Sequence, residues 1–191
     1  MDKQGVWLFD TAMLAGLFPK ESMRTLNNSI MRHCARGYLL RVRKGLFANP
    51  TARSGAMYKL EAVVGYLRPD DINYISQESR LSDLGVISQI PRSHLTLMTT
   101  GRSQTFDTTY GTIEFTHTSR SPTDILDNCM LNKATGLLEA SPDLALSDLK
   151  RARRNMNLVH LEDMEEARED YKKLMASYRD MTSSISQGDT Q

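Results

Sequence analysis

The hydrophobic pattern of the chain begins with a short helix near residue 10. Three apolar residues fall on one helical face, namely Leu14, Leu17 and Phe18. Asp10 is of a residue type that caps helix starts, and Pro19 interrupts the pattern. The segment Phe18-Pro19-Lys20 is therefore predicted to be a turn.

A second helix is predicted from Glu21 or Ser22 to Arg36, because Gly37 supplies the left-handed residue that ends many helices. Five residues share one face of this helix and are expected to be buried: Met23, Leu26, Ile30, His33 and Cys34. The other face carries Arg24, Thr25, Asn28, Arg32 and Arg36. Guanidinium groups suit guanine edges and phosphates, and an amide suits an adenine edge. The pattern therefore predicts a DNA-recognition helix, with a merely solvated face as the alternative.

After Tyr38 the pattern changes to a period of two. Leu40 and Val42 alternate with Arg41 and Arg43, and Lys44-Gly45 turns the chain into Leu46-Phe47-Ala48. Two helices followed by a short basic hairpin are the arrangement of a winged helix, whose wing contacts the DNA backbone or minor groove. The predicted DNA-binding residues are Lys20, Arg24, Thr25, Asn28, Arg32, Arg36, Arg41, Arg43 and Lys44. Packing of the basic hairpin on an acidic surface is the alternative.

Residues 49–55, Asn-Pro-Thr-Ala-Arg-Ser-Gly, are rich in turn formers and predict a linker. The body that follows shows both helical and strand patterns. Helices are predicted around Leu60 to Leu67, from the Ser76 cap to Gly85, and from Ser141-Pro142 onward. Strands are predicted at 73–75, 94–99, 103–108 and 112–118, with the third pairing with the second.

The last predicted helix runs from about residue 161 to 181. Its apolar stripe consists of Met164, Ala167, Tyr171, Leu174, Tyr178 and Met181, spaced by three and four. The stripe fits packing onto its own domain or contact with a second protomer or partner. Residues 183–191 are polar and are expected to be disordered. The domains are therefore predicted as 1–55, a winged helix-turn-helix, 56–182, a mixed α/β domain with a small antiparallel sheet and C-terminal helices, and the tail 183–191.

Charge divides the chain at about the same place. Residues 1–60 contain ten Lys and Arg against three acidic residues, a net charge of +7, whereas the remainder sums to −6. A basic module can displace counterions from a polyanion, and an acidic body is repelled by one. With 40% hydrophobic residues, two cysteines, no secretory leader and no apolar run of membrane-spanning length, we expect a soluble, reduced, cytoplasmic protein.

Enzyme signatures are weak in this sequence. The four histidines are scattered, and phosphate-loop and nucleophile-elbow motifs are missing. Residues 99–103, Thr-Thr-Gly-Arg-Ser, could cradle a phosphate but fit a hairpin loop better. Asp124, Asp127, Asp143 and Asp148 could bind magnesium, but helix starts at Asp124 and Asp143 and solvated carboxylates are preferred. We expect no catalytic residues, cofactor or metal; a DNA-modifying or DNA-cleaving enzyme is the alternative from another class.

Several segments resemble one known family. Residues 37–47, GYLLRVRKGLF, are similar to the motif that closes the winged helix of AbiEi antitoxins, members of the AbiE type IV toxin–antitoxin and phage-resistance systems. Further similar segments, in family order, are YISQESRL at 74–81, TTGRS at 99–103, YGTIEF at 110–115 and SPDLALSDL at 141–149. The last one departs from the family at Asp143-Leu144, where Glu-Lys is usual, and this concerns the exposed surface of a helix.

The resemblance implies a bifunctional protein. Its winged helix would repress its own operon by binding an operator, and its C-terminal domain would counteract a toxin that resembles nucleotidyltransferases, with or without direct contact. Because one short helix and one wing read few base pairs, specificity requires either two copies on paired half-sites or a second DNA-contacting surface on the body, and we expect paired repeats in the operator. A ligand-responsive repressor, with the acidic body as a sensor, is the remaining alternative.

Overall fold

The computed structural model describes residues 6–53, 55–88 and 93–186, and it describes side chains as far as residue 177. Within these ranges the chain is a mixed α/β structure with seven α-helices and two β-sheets. The chain divides into two compact units, 1–70 with 105–113, and 71–104 with 114–191. This division differs from the boundary expected at residue 55, because the chain stays in the first unit through the next helix.

The first unit contains a three-stranded sheet and three helices. Its elements are β1 (Leu8–Asp10), α1 (Thr11–Leu17), α2 (Met23–Ala35), β2 (Leu40–Arg43), β3 (Leu46–Ala48) and α3 (Lys59–Leu67). The strand order is β1-β3-β2, with antiparallel pairing throughout. β1 was not predicted from the sequence. The predicted linker is in part a hydrogen-bonded turn, since Asn49 Oδ1 accepts from the backbone N–H of Thr51 at 3.0 Å.

The core of the first unit is formed by a few residues from each element. Phe9, Leu14, Leu26, Ile30 and Phe47 form its central cluster. α3 adds Leu60, Val63 and Val64, which are buried. A hydrogen bond from the Tyr66 hydroxyl to the Leu8 carbonyl, 3.1 Å long, joins α3 to β1.

The first two helices are less completely covered than their apolar patterns suggest, and burial was expected for Met23, His33 and Cys34 of α2. Leu17, Phe18, Met23 and His33 are exposed, and Cys34 is only partly buried. The small core reaches only the middle of α2, at Leu26 and Ile30. Residues near the helix ends therefore share the apolar face without being covered.

The second unit contains most of a six-stranded sheet. Its strands are β4 (Asn73–Ile75), β5 (His94–Thr99), β6 (Gln104–Thr108), β7 (Gly111–His117), β8 (Cys129–Asn132) and β9 (Leu137–Ala140). The strand order is β6-β7-β5-β4-β9-β8, and β4 and β9 are parallel. The predicted pairing of β6 with β5 is wrong because β7 lies between them. The tip of the β6–β7 hairpin, residues 105–113, belongs to the first unit.

The helices of the second unit are α4 (Gln77–Asp83), α5 (Pro122–Asp127), α6 (Pro142–Ala152) and α7 (Asp163–Ser186). Ser141 caps α6 as predicted, accepting from the Leu144 N–H at 3.3 Å. Ser76 does not cap α4, since its hydroxyl donates to Asp148 instead. Asp124 lies in the first turn of α5, where a helix start was expected, whereas β8 and β9 were not predicted. Leu144 is buried in the core, so the departure from the family motif at this position does not lie on an exposed surface.

The last helix is longer than predicted and is only partly packed. Met164 and Ala167 belong to the core of the second unit, whereas Leu174 is half exposed. Packing onto its own unit thus accounts for the first half of the stripe. Residues 183–186, expected in a disordered tail, are helical, and the rest of that tail lies outside the described residues. No helix in the described ranges combines the length and apolar character needed to cross a bilayer.

Candidate nucleic-acid interface

α2 is fixed at both ends by its own sequence. The Ser22 hydroxyl accepts from the Thr25 N–H at 3.1 Å and so caps the first turn. At the other end Gly37 takes a left-handed φ of +74°, and the Tyr38 N–H donates to the His33 carbonyl at 3.0 Å. This is the Schellman arrangement that satisfies the last carbonyls of a helix. The side chains along α2 are therefore held in a defined order.

The outer face of α2 carries the predicted recognition residues. Arg24, Thr25, Asn28, Arg32 and Arg36 are all exposed. With a rise of about 1.5 Å per residue, Arg24 and Arg32 lie roughly 12 Å apart along the helix axis. Two polar groups on this face have local partners: Thr25 bonds to Ser22 at 2.9 Å and Arg32 donates to the Ser29 hydroxyl at 3.0 Å.

The basic hairpin that follows is tied to the start of α1. The N–H of Thr11 donates to the Gly45 carbonyl at 3.1 Å, and Gly45 takes a φ of +82° that favours glycine. Arg41 and Lys44 are exposed on this hairpin, and Lys20 is exposed in the turn before α2. The predicted basic rim of the hairpin is present at these two positions.

Arg43 is placed differently from its predicted role. It is only partly exposed, and its guanidinium carbon lies 4.5 Å from the centre of the Phe106 ring. The guanidinium of Arg68 lies 5.8 Å from the same ring. Arg43 is therefore held by a cation–π contact, whereas the prediction had it free to bind DNA. This partner was not predicted, because Phe106 is 63 residues further along the chain.

Charge on the first unit favours a polyanionic partner. Residues 1–70 and 105–113 together contain eleven Lys and Arg and six Asp and Glu, a net charge of +5. Within the described residues, Lys20, Arg24, Arg36, Arg41 and Lys44 form no ion pair with a carboxylate. Their charges therefore remain available to an outside partner.

The single cysteine near this surface is a neutral thiol. Burial raises the pKa of the Cys34 thiol above its ordinary value of 9.0, and the charge of Arg41 lowers it only in part. A neutral, partly buried thiol is a poor nucleophile. Cys34 therefore contributes packing rather than chemistry to the interface.

The second unit contains a buried carboxylate that the sequence analysis placed in solvent. Asp148 accepts from the Tyr74 hydroxyl at 3.0 Å, the Ser76 hydroxyl at 2.9 Å and the Arg120 guanidinium at 3.1 Å. Burial, followed by the charge of Asp148, raises the pKa of Tyr74 well above its ordinary value. Asp148 itself has no exposed side-chain surface, and its bonds hold α6 to β4.

A second polar cluster surrounds Arg154. Its guanidinium pairs with Glu78 at 3.2 Å and with Glu114, and Glu114 is also 3.4 Å from His94. Gln77 next to Glu78, and Arg153 and Asn155 beside Arg154, all have positive φ. These contacts link α4, β7 and the end of α6, a polar association that sequence patterns did not indicate.

Neither of the small-ligand alternatives gains support from this unit. A Cβ on Gly101, in the loop considered as a phosphate cradle, would lie 2.7 Å from the Asp71 carboxyl carbon. A carboxylate packed against the loop repels phosphate. Within the described part of the chain, His, Cys, Asp and Glu form no group of three that could hold a metal ion. The aspartates considered for magnesium have other surroundings: Asp124 pairs with Arg120, Asp143 with Arg168, and Asp127 is exposed.

Comparison with known proteins adds no family to these observations: no family model matches the chain, and no curated protein matches it significantly.

Proposed function

We propose that this protein binds double-stranded operator DNA through α2 and the β2–β3 hairpin and represses transcription. One observation carries the proposal: α2 exposes Arg24, Asn28 and Arg32 in a row opposite its buried Leu26 and Ile30. Such a row can present two guanidinium groups and one amide to base edges in a major groove.

The order of elements supports the same proposal. β1, α1, α2, β2 and β3 follow one another as in a winged helix, with α1 and α2 as the helix-turn-helix and the β2–β3 hairpin as the wing. In this interpretation Lys20, Arg41 and Lys44 contact phosphates on either side of the groove. Phosphate contacts set orientation and affinity, and base contacts set specificity.

We further propose that the protein is an AbiEi-type antitoxin that acts in the cytoplasm against a nucleotidyltransferase-like toxin. This role rests on the family resemblance described above. It is supported by the separation of charge, because residues 71–104 and 114–191 contain 13 basic and 17 acidic residues, a net charge of −4. A unit with this net negative charge is not attracted to DNA, and we assign toxin neutralisation to it.

DNA binding is tested by fluorescence anisotropy on the promoter fragment upstream of the gene. Arg24→Ala and Asn28→Ala are each expected to cost about 1 to 3 kcal/mol of specific binding and to relax sequence preference. Lys44→Ala should weaken specific and non-specific DNA alike and reduce the salt slope by about 1. The matched control is Arg151→Ala, which removes one exposed arginine from α6 and should leave affinity unchanged.

Two outcomes would contradict the proposed DNA-binding surface or its arrangement on DNA. If the double variant Arg24→Ala/Arg32→Ala bound DNA with wild-type affinity, the assignment of α2 as the recognition helix would be rejected. Footprinting should protect paired repeats, because one helix and one wing cover too few base pairs. Full-affinity protection of a single half-site would exclude the paired arrangement.

The antitoxin role is tested by co-expression with a nucleotidyltransferase-like toxin from the adjacent reading frame. Wild-type protein should restore growth. The charge-reversed variant Arg24→Glu/Arg32→Glu should still restore growth while it fails to bind the promoter, because the two tasks lie in different units. Failure of the wild-type protein to protect would reject the antitoxin role and leave DNA binding to be judged separately.

A further inference from the structure

The tip of the β6–β7 hairpin is hydrogen-bonded to the wing. The backbone N–H of Thr109 donates to the Val42 carbonyl at 3.0 Å. The Thr109 hydroxyl lies 2.9 Å from the Arg41 carbonyl and 3.0 Å from the Val42 carbonyl. Thr109 therefore bonds two successive carbonyls of one wing strand.

These bonds fall where the wing strand is irregular. Arg41 pairs with Phe47 and Arg43 with Leu46, so Val42 is an extra residue in β2. A bulge of this kind redirects neighbouring side chains and leaves backbone groups outside the ladder. β2 is also the edge strand of its sheet. Thr109 donates to the Arg41 and Val42 carbonyls of this edge strand, and so fixes the backbone of β2 between Arg41 and Arg43.

A second contact of the hairpin tip reaches the next arginine. The Phe106 ring is 8% exposed and has the Arg43 guanidinium 4.5 Å from its centre. Stacking on an aromatic face leaves the N–H groups of a guanidinium, which point outward in its own plane, able to donate to an oxygen. The same contact restricts the rotamers of a long side chain before any DNA is bound.

We propose that Thr109 and Phe106 are positioning residues for the wing, which hold Arg41 and Arg43 in the orientation that meets the phosphate backbone of DNA. The inference rests on the proposed DNA binding. In this arrangement Arg43 is a pre-ordered phosphate contact, and the functional module includes a hairpin tip that lies far from the wing in sequence. Fixing the side chain in the free protein lowers the entropy that binding must remove.

The proposal is tested with the full chain and a mixed-sequence DNA duplex of about three helical turns, by fluorescence anisotropy over a range of salt concentrations. Phe106→Leu keeps an apolar side chain but removes the ring. It should weaken binding by about three- to tenfold, the effect of ordering one long side chain, and should leave the salt slope unchanged. Phe106→Tyr restores an aromatic face and should bind like the wild type. Arg43→Ala should reduce the salt slope by about 0.9.

The double variant separates positioning from general damage. If Phe106 acts through Arg43, then Phe106→Leu/Arg43→Ala binds no more weakly than Arg43→Ala alone. Independent, multiplicative losses overturn the proposal for Phe106 while the DNA-binding function stands. For Thr109, the variant Thr109→Val removes the hydroxyl and should weaken binding. Its matched control is Thr105→Val, an exposed threonine on the same hairpin, which should have no effect. Equal effects of the two threonine variants overturn the proposal for Thr109.

A measurement on the free protein distinguishes this proposal from the function on which it rests. The Nε–H signal of Arg43 in NMR should be displaced by the Phe106 ring current in the wild type and in Phe106→Tyr, and should lose that displacement in Phe106→Leu. If the wild-type protein binds no duplex at all, the DNA-binding function is rejected and the positioning role with it, even where the ring-current shift is seen. An undisplaced, mobile Arg43 in the wild type rejects the positioning role alone.

Discussion

Substitution of Asp148 is expected to be the most destabilising single change in the second unit. Its side chain has no exposed surface, and its partner Arg120 is only 15% exposed. Asp148→Ala removes the acceptor of two hydroxyl groups and one guanidinium. It also leaves a buried cation whose Nε already has no hydrogen-bond partner.

The magnitude follows from these contacts. Removing one partner of a buried ion pair costs about 3 to 5 kcal/mol, and the lost hydrogen bonds are part of that figure. We therefore expect Asp148→Ala to lower the free energy of unfolding by about 3 to 5 kcal/mol. Asp148→Asn keeps the shape and one acceptor oxygen, so about 1.5 to 3 kcal/mol is expected. The control Asp127→Ala removes an exposed aspartate and should change stability by less than about 0.5 kcal/mol.

The assay is urea denaturation followed by circular dichroism and, in parallel, by fluorescence of Trp7. Trp7 is the only tryptophan and belongs to the first unit, so the two signals report on different parts of the chain. The cost of the double variant Asp148→Ala/Arg120→Ala should be smaller than the sum of the single costs by about 1 kcal/mol or more. A cost below about 1 kcal/mol for Asp148→Ala, or strict additivity, would refute the argument that this carboxylate holds Arg120.

Four further changes have definite expected outcomes. Burial raises the pKa of Cys129 from 9.0 to about 12, so between these pH values the folded protein keeps a thiol proton that the unfolded chain loses. The contribution of this thiol to the free energy of unfolding is therefore fully present below pH 9 and is lost as the pH rises towards 12. Cys129→Ala should remove this part of the alkaline loss of stability in urea titrations. Gly101→Ala should cost about 1 to 3 kcal/mol in the same assay, because its Cβ would meet the Asp71 carboxylate. Gly37→Ala should cost about 1 kcal/mol, because φ is +74° although space is open; a neutral result would contradict the left-handed cap. Finally, a fragment of residues 56–191 should be less stable to urea than the full chain, because it keeps α3 and the hairpin tip but loses β1, β2 and β3; equal stability would favour the boundary expected at residue 55.

Periodicity and capping residues were sufficient for most of the local structure. Asp10 and Ser22 cap helices at the expected positions, Gly37 ends α2, and the alternation around Val42 forms the expected strand. These signals are local, because each depends on residues a few positions apart. The short β1 gave no such signal, since three residues are too few to show a period.

Periodicity and capping residues could not predict contacts between residues that are far apart in the chain. Asp148 follows Leu144 by four residues and precedes Leu149, so it lies on the buried face of α6; this position was the available hint that it is not solvated. The partners that stabilise it, Tyr74 and Arg120, are set by tertiary packing. The sequence around Phe106 likewise did not indicate that its ring would contact the Arg43 guanidinium. About half of the predicted interface therefore depends on local signals along α2, whereas the surroundings of Arg43 in the β2–β3 hairpin depend on the distant Phe106.

The assignment of residues 105–113 to the first unit also determines when that unit can be completed during synthesis. Thr109 and the Val42 carbonyl are 67 residues apart in the chain. Contacts of such separation require closure of a long loop and form later than local helices and turns. Until the ribosome has passed residue 113, the nascent chain contains α2, β2 and β3 but cannot contain the β6–β7 hairpin that bonds to β2. A newly made amino-terminal segment is thus an unfinished module, and so is any fragment that ends before the hairpin.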